Sequence, residues 1–174
     1  MRKCTENFQC PLSLTSDNLE IIEEIPVSEI TQIYKRFHGI DISYEFDTEN
    51  ILLIKNKQIN FFFFHPFKSG SSRFYDDISR SGYYNAEKEE FKIAASYIVK
   101  EDSVLDVGCG WGYFRNYLPN CTYLGLEFSQ SSIRKCQKKN IPVTSETIQD
   151  FSKKPQKFSA VTAFQVIEHI ENPL

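Results

Sequence analysis

The chain has 174 residues, of which 41% are hydrophobic and 25% charged, and its formal net charge is −3. That is enough chain for one hydrophobic core and a small appendage. The negative balance argues against a nucleic-acid scaffold, which needs a positive field to draw in phosphates, and no apolar run approaches the roughly 18 residues that cross a bilayer. Met1-Arg-Lys-Cys-Thr-Glu-Asn-Phe8 has two basic residues with no apolar stretch behind them, so no secretory signal is expected. The five cysteines are odd in number and scattered, which suits reduced thiols in a cytoplasm. Cys4 and Cys10 are not followed by a second Cys or His pair at ligand spacing, so no metal site is expected. Asn120-Cys-Thr122 has the pattern of a glycosylation acceptor but reads as the start of a strand.

Taken in order, residues 1–25 read as irregular, with an apolar patch at Leu19, Ile21, Ile22 and Ile25. After Pro26, Ser28 is placed to cap a helix in which Ile30, Ile33, Tyr34 and Phe37 fall at i, i+3, i+4 and i+7. Gly39 is placed to end it. Ile51–Ile54 and Ile59–Phe64 read as two strands of a hairpin joined across Lys55–Gln58. Successive strand residues point to opposite faces, so the run Phe61–Phe64 requires either packing on both faces or a ligand on one. His65-Pro66 closes that strand, and Lys68–Ser72 has the composition of a loop. A second helix is expected from Asn85 as its cap, with Glu87, Glu89 and Glu90 at its positive end and Phe91, Ala94, Ala95 and Ile98 along one face.

From there strands and helices alternate. Strands are expected near 103–108, 122–127, 141–144 and 159–164. A helix near 111–118 should stop at Pro119, and Ser129 should cap another that carries Ile133 and Cys136. Such repeats give right-handed crossovers and a parallel sheet. The first of these strands, Val104-Leu-Asp-Val107, runs directly into Gly108-Cys-Gly-Trp-Gly112. A strand feeding a glycine turn lets a ligand lie against bare N–H groups. A dinucleotide fingerprint has two residues between its second and third glycines; here only Trp111 separates Gly110 from Gly112. Roughly twenty residues beyond the first glycine, the next strand ends at Glu127, whose carboxylate can accept hydrogen bonds from both hydroxyls of a ribose.

The Gly-x-Gly-x-Gly turn with Asp106 ahead of it resembles motif I of the class I S-adenosylmethionine-dependent methyltransferases. Phe164-Gln-Val-Ile-Glu-His-Ile-Glu-Asn-Pro173 resembles the F-x-V-x-E-H-x-x-x-P segment after strand 4 in small-molecule members, and not the Asn/Asp-Pro-Pro-Tyr/Phe signature of enzymes that methylate planar exocyclic amines. Ile25–Tyr34, Gly39–Tyr44, Phe74-Tyr75 and Tyr83-Tyr84 look like the N-terminal region of bacterial members associated with sugar and polysaccharide pathways. The resemblance implies an α/β, Rossmann-like, doubly wound parallel sheet, incomplete at about four strands and preceded by a small α+β region. Residues 1–84 would form that region, a cover of the active site, and 85–174 the first half of the catalytic domain. A complete sheet of the family has three more strands; without them the chain is expected to be weakly stable, inactive alone and prone to self-associate through its exposed strand edge.

The implied ligand is S-adenosylmethionine, and the implied contacts are Asp106, Gly108, Cys109, Gly110, Gly112, Glu127, Phe128, Phe164 and Gln165. Thr147 or Ile148 would flank the adenine, and Tyr84 would reach the methionine end. His169, whose imidazole titrates near neutrality, is either a general base for a hydroxyl or amine acceptor or a helix-start residue that only shapes the site. The partner would be a small-molecule acceptor, with no nucleic acid and no membrane. A nucleotide-sugar or dinucleotide enzyme and a non-catalytic cofactor-binding module are the rival readings.

Overall fold

The computed structural model describes residues 8–82 and 84–170. Tyr83, Pro173 and Cys4, named above, lie outside them. Two compact units divide the chain, one reaching to Gly70 and joined by the residues from His169 onward, the other Ser71–Glu168. Among the described residues no helix is long and apolar enough to cross a membrane, and no group of three His, Cys, Asp or Glu could hold a metal ion.

The first unit is built on an antiparallel sheet of β1 (Leu19–Pro26), β2 (Asn50–Asn56) and β3 (Phe61–His65), in that order. The expected hairpin is present as β2–β3, with Lys55 opposite Phe62 and Ile54 opposite Phe63. Its phenylalanines alternate as the pleat requires: Phe61 and Phe63 are half-buried and stacked at 6.2 Å, while Phe62 and Phe64 are exposed. β1 corrects the reading of residues 1–25 as irregular. Its register against β2 shifts between Ile21 and Glu23, and this bulge breaks the period-2 signal that marks a strand in sequence. β1 runs straight into α1 (Val27–His38), which starts one residue before Ser28. Pro26, with φ −61°, holds the N-cap position without a side-chain bond, and Gly39, at φ 71°, ends the helix as expected by donating to the Lys35 carbonyl.

The second unit begins with α2 (Ser72–Ile78), a helix not expected from the sequence, which starts at the end of the expected Lys68–Ser72 loop. Ser71 caps it, its Oγ accepting from Phe74 N at 3.2 Å, and Tyr75 and Ile78 are buried. α3 (Glu89–Ala95) starts later than Asn85, which does not cap it. The Asn85 Oδ1 instead accepts from Glu87 N at 2.9 Å, a local turn that competes with helix. The parallel sheet comprises β4 (Ser103–Val107), β5 (Thr122–Leu126), β6 (Val143–Thr144) and β7 (Ala160–Ala163), ordered β6-β5-β4-β7. It is the expected four-strand Rossmann-like α/β sheet.

Two departures concern helices. Residues 113–117 form a 3-10 turn rather than an α-helix from 111, because Gly112 sits at φ 69°, outside helical geometry. Leu118 is then held extended ahead of Pro119. α5 (Ile148–Phe151), capped by Thr147, occupies part of the loop expected near the adenine. α4 (Gln130–Lys138) is as expected: the Ser129 hydroxyl caps it and Ile133 and Cys136 are buried. One core cluster holds Phe91, Val104, Phe114, Tyr123 and Ile141; another holds Leu105, Leu126 and Phe151. Both sides of β4 are thereby buried, as an interior parallel strand requires.

Candidate active site

Chain order reverses at β4: the chain moves outward through β5 and β6, then returns to β7 on β4's other side. Ligands of open α/β sheets lie beyond the carboxyl ends at such a point. Val107 pairs with both Leu126 and Ala163, so Gly108, Glu127 and Phe164 leave the sheet at one level. The turn between Gly108 and Gly112 is held by Cys109 N donating to the Leu126 carbonyl at 3.0 Å and Gly112 N to the Cys109 carbonyl at 2.9 Å. Gly110 has φ 56°, and a Cβ there would lie 2.6 Å from Cε1 of Tyr84. No other residue fits, on both counts.

Glu127 ties this turn to the next loop. Its Oε2 accepts from Gly110 N and its Oε1 from Ser129 N, both at 2.8 Å, and the residue is buried. Burial raises its pKa, and the N–H groups of Ser129, Gly110 and Phe128 offset part of that rise by stabilising the anion. A carboxylate has about four acceptor positions. The N–H groups do not exhaust them, so the carboxylate keeps acceptor capacity for a ligand's hydroxyls. Tyr84 lies against Gly110, its hydroxyl accepting from Ser132 Oγ at 3.3 Å and its ring 5.0 Å from that of Trp111. Beside it the Trp111 Nε1 is buried without a hydrogen-bond partner among the described residues. Cys109 and Cys136 both approach the Gly110 carbonyl, at 3.9 and 3.3 Å. Hydrogen bonding to Cys136, with burial, pushes the Cys109 thiol up, so it stays protonated and is no nucleophile.

Asp106 spans three strands. Its Oδ2 accepts from the Tyr123 hydroxyl on β5 at 2.7 Å and its Oδ1 from the Thr162 hydroxyl on β7 at 2.9 Å. Burial pushes its pKa up to about 6, against the pull of those two bonds and with the Glu127 charge adding to the rise. The folded protein therefore binds this proton more tightly than the unfolded chain, and stability from it is lost as pH rises from 3.8 through about 6. A shift of that size is about 3 kcal/mol. Asp106→Asn cannot ionise, so its stability relative to wild type should climb by roughly that amount between pH 4 and pH 7.5. Urea unfolding at the two pH values measures it; a pH-independent difference would mean that Asp106 is not a buried acid.

The remaining expected contacts are dispersed. Phe128 is exposed and meets Tyr75 edge-on at 5.3 Å. Thr147 caps α5, and Ile148 packs on the Leu105–Leu126–Phe151 cluster. Phe164 packs at 4.8 Å from both Phe91 and Phe114. Gln165, at φ 55°, accepts from Lys88 Nζ at 2.8 Å. Val166 covers Gly108, where a Cβ would lie 2.7 Å from its Cγ2. His169 is exposed at the end of the 3-10 turn Ile167–His169. The sequence reading missed Asp76 and Ser131 and saw in Ser129 only a helix cap; their hydroxyl–carboxylate cluster joins α2 to α4. It also missed Tyr123 and Thr162, the partners of Asp106. Only a fold that pairs β4 with β5 and β7 brings those hydroxyls to one carboxylate.

A family model described as a methyltransferase domain matches residues 80–174. No curated protein matches the chain. Thirty-six chains of solved structures do. One is the plantazolicin methyltransferase BpumL, solved in complex with SAH, at 26% identity and a TM-score of 0.42. That similarity covers 48% of this chain and 37% of BpumL, so the chain spans well under half of that protein's length.

Proposed function

The chain belongs to the methyltransferase domain family, and on that premise we propose that it binds S-adenosylmethionine at the Gly108–Gly112 turn and serves methyl transfer to a small-molecule, sugar-related acceptor. The observation that carries this reading is the Glu127 carboxylate, fastened to Gly110 N at 2.8 Å with acceptor positions to spare. A glycine turn beside an oriented carboxylate at the strand-order reversal suits a nucleoside with a short charged tail. S-adenosylmethionine supplies an electrophilic sulfonium methyl. The residues of this chain hold its parts: Glu127 the ribose hydroxyls, the turn and Tyr84 the methionine end, and Thr147 or Ile148 the flank of the adenine, with Phe128 a further contact. Catalysis then rests on keeping donor and acceptor in line, with His169 taking a proton where the acceptor must lose one. A cytoplasmic setting fits the free thiols of Cys10, Cys109, Cys121 and Cys136. β7, at the end of the strand order with Val161 exposed, is the edge through which copies would associate.

Calorimetric titration with S-adenosylhomocysteine tests the binding reading. Wild type should give a saturable heat that Gly110→Val abolishes, because the new Cβ would fall 2.6 Å from the Tyr84 ring at a positive φ. Absence of binding by wild type, or equal binding by folded Gly110→Val, would remove the ligand from this turn. Transfer of labelled methyl to a panel of free and nucleotide-linked sugars tests the acceptor class.

A further inference from the structure

One polar cluster in the second unit lies outside the glycine turn yet is bonded to it. Asp76, in α2, reaches the start of α4: its Oδ1 accepts from Ser129 Oγ at 2.7 Å and from Ser131 Oγ at 2.5 Å. Burial works against the charged form, but the hydrogen bonds from Ser131 and Ser129 hold the carboxyl below its ordinary value, so Asp76 is ionised at neutral pH. Ser129 is fully buried and has three roles. Its hydroxyl donates to Asp76, accepts from Ser132 N at 3.3 Å as the α4 cap, and its backbone N–H donates to Glu127. From Asp76, a continuous chain of hydrogen bonds thus passes through Ser129 and Glu127 to Gly110 N. The preceding residue of α2 reinforces it, because the Tyr75 ring stands edge-on against Phe128 at 5.3 Å.

We propose that Asp76 is a positioning residue for the nucleoside half of the ligand, fixing through Ser129 the carboxylate of Glu127 and the ring of Phe128. The inference rests on the reading of Glu127 as the ribose acceptor. A carboxylate this close also carries an electrostatic penalty, since the Asp76 charge pushes the Glu127 pKa up. Capping alone does not require that charge. The Ser129 hydroxyl caps α4 by itself, and a serine cap needs no carboxylate behind it. What the second carboxylate adds is a fixed rotamer for Ser129 and hence a fixed loop from Glu127 to Ser131. Hydrogen-bonded groups of this kind give up their rotational freedom before a ligand arrives, which is how preorganisation raises affinity.

The test is a double-mutant cycle read by calorimetric titration with S-adenosylhomocysteine, in wild type, Asp76→Ala, Glu127→Gln and the double variant. Asp76→Ala should weaken binding about tenfold in the wild-type background and hardly at all where Glu127 is already Gln, since coupled neighbours are non-additive. Asp76→Asn keeps an acceptor oxygen for the serine hydroxyls and should recover most of the affinity. Equal losses in both backgrounds, or no loss from Asp76→Ala, overturn the proposal. The amide proton resonances of Gly110 and Ser129 in the ligand-free protein give a second readout, and the milder Ser131→Ala serves if Asp76→Ala does not fold. Both amides should shift in the variant; two unmoved amides reject the positioning role. Failure of wild type to bind S-adenosylhomocysteine would count against the ligand assignment, while the amide shifts would still decide whether Asp76 places Glu127.

Discussion

Replacing Glu127 with alanine is expected to weaken S-adenosylhomocysteine binding by a hundredfold or more. Two hydrogen bonds from ribose hydroxyls to a carboxylate are worth on the order of 1.5–3 kcal/mol each, and every 1.4 kcal/mol is about tenfold in affinity. The loss has a second source inside the protein. Alanine leaves Gly110 N and Ser129 N without the acceptor that each now meets at 2.8 Å, in a buried place where an unpaired N–H is costly. The turn proposed to cradle the ligand would lose its anchor along with the proposed ribose acceptor. Glu127→Gln separates the two contributions: it keeps one acceptor oxygen but sets an amide NH2 against a neighbouring N–H. Its affinity should lie between those of wild type and Glu127→Ala. Titration of each folded variant gives the answer, and an unchanged dissociation constant for Glu127→Ala would take the carboxylate out of the binding site.

The parts of this molecule that were legible in sequence are those where local chemistry and periodicity agree. Ser129 caps α4, Gly39 ends α1, and β4, β5 and β7 pair in parallel, because each signal is short-range and nothing tertiary overrides it. The misreadings have physical causes as well. β1 hides behind a bulge between Ile21 and Glu23, which breaks alternation within the apolar patch. α2 is seven residues long and buries only Tyr75 and Ile78, too little for a helical period to appear. Its carboxylate meets Ser129 across a separation of 53 residues, which no local pattern announces. The glycine turn and the position of Glu127 just past a strand were readable from spacing, since the backbone conformation and the strand end fix them. The Phe164 ring lies 4.8 Å from those of both Phe91 and Phe114, a packing that no spacing in the sequence announces.

That aromatic cluster carries the largest stability effect expected in the second unit. Phe114 is 1% exposed and follows Gly112 by two residues, so the chain leaving the glycine turn enters the core at this ring. Its ring lies 4.8 Å from that of Phe164 and 5.6 Å from that of Phe91. Truncation to alanine removes the transfer energy of a whole ring and leaves a cavity, together about 3–5 kcal/mol. Lost ring-to-ring contacts fall within that figure or add to it by about 0.5–1.5 kcal/mol for each pair. Against a typical total stability of about 5–15 kcal/mol, such a loss brings the fold close to its limit. The single tryptophan, Trp111, sits between Gly110 and Gly112, so its fluorescence reports unfolding of this unit. In urea, Phe114→Ala should move the Trp111 transition to a much lower midpoint with little change in slope, the mark of a native core weakened rather than of an altered unfolded chain. Phe114→Leu, which refills most of the cavity, should cost less than about half as much. A midpoint shift for Phe114→Ala equivalent to less than about 1 kcal/mol would mean that this ring is not packed in the core as described.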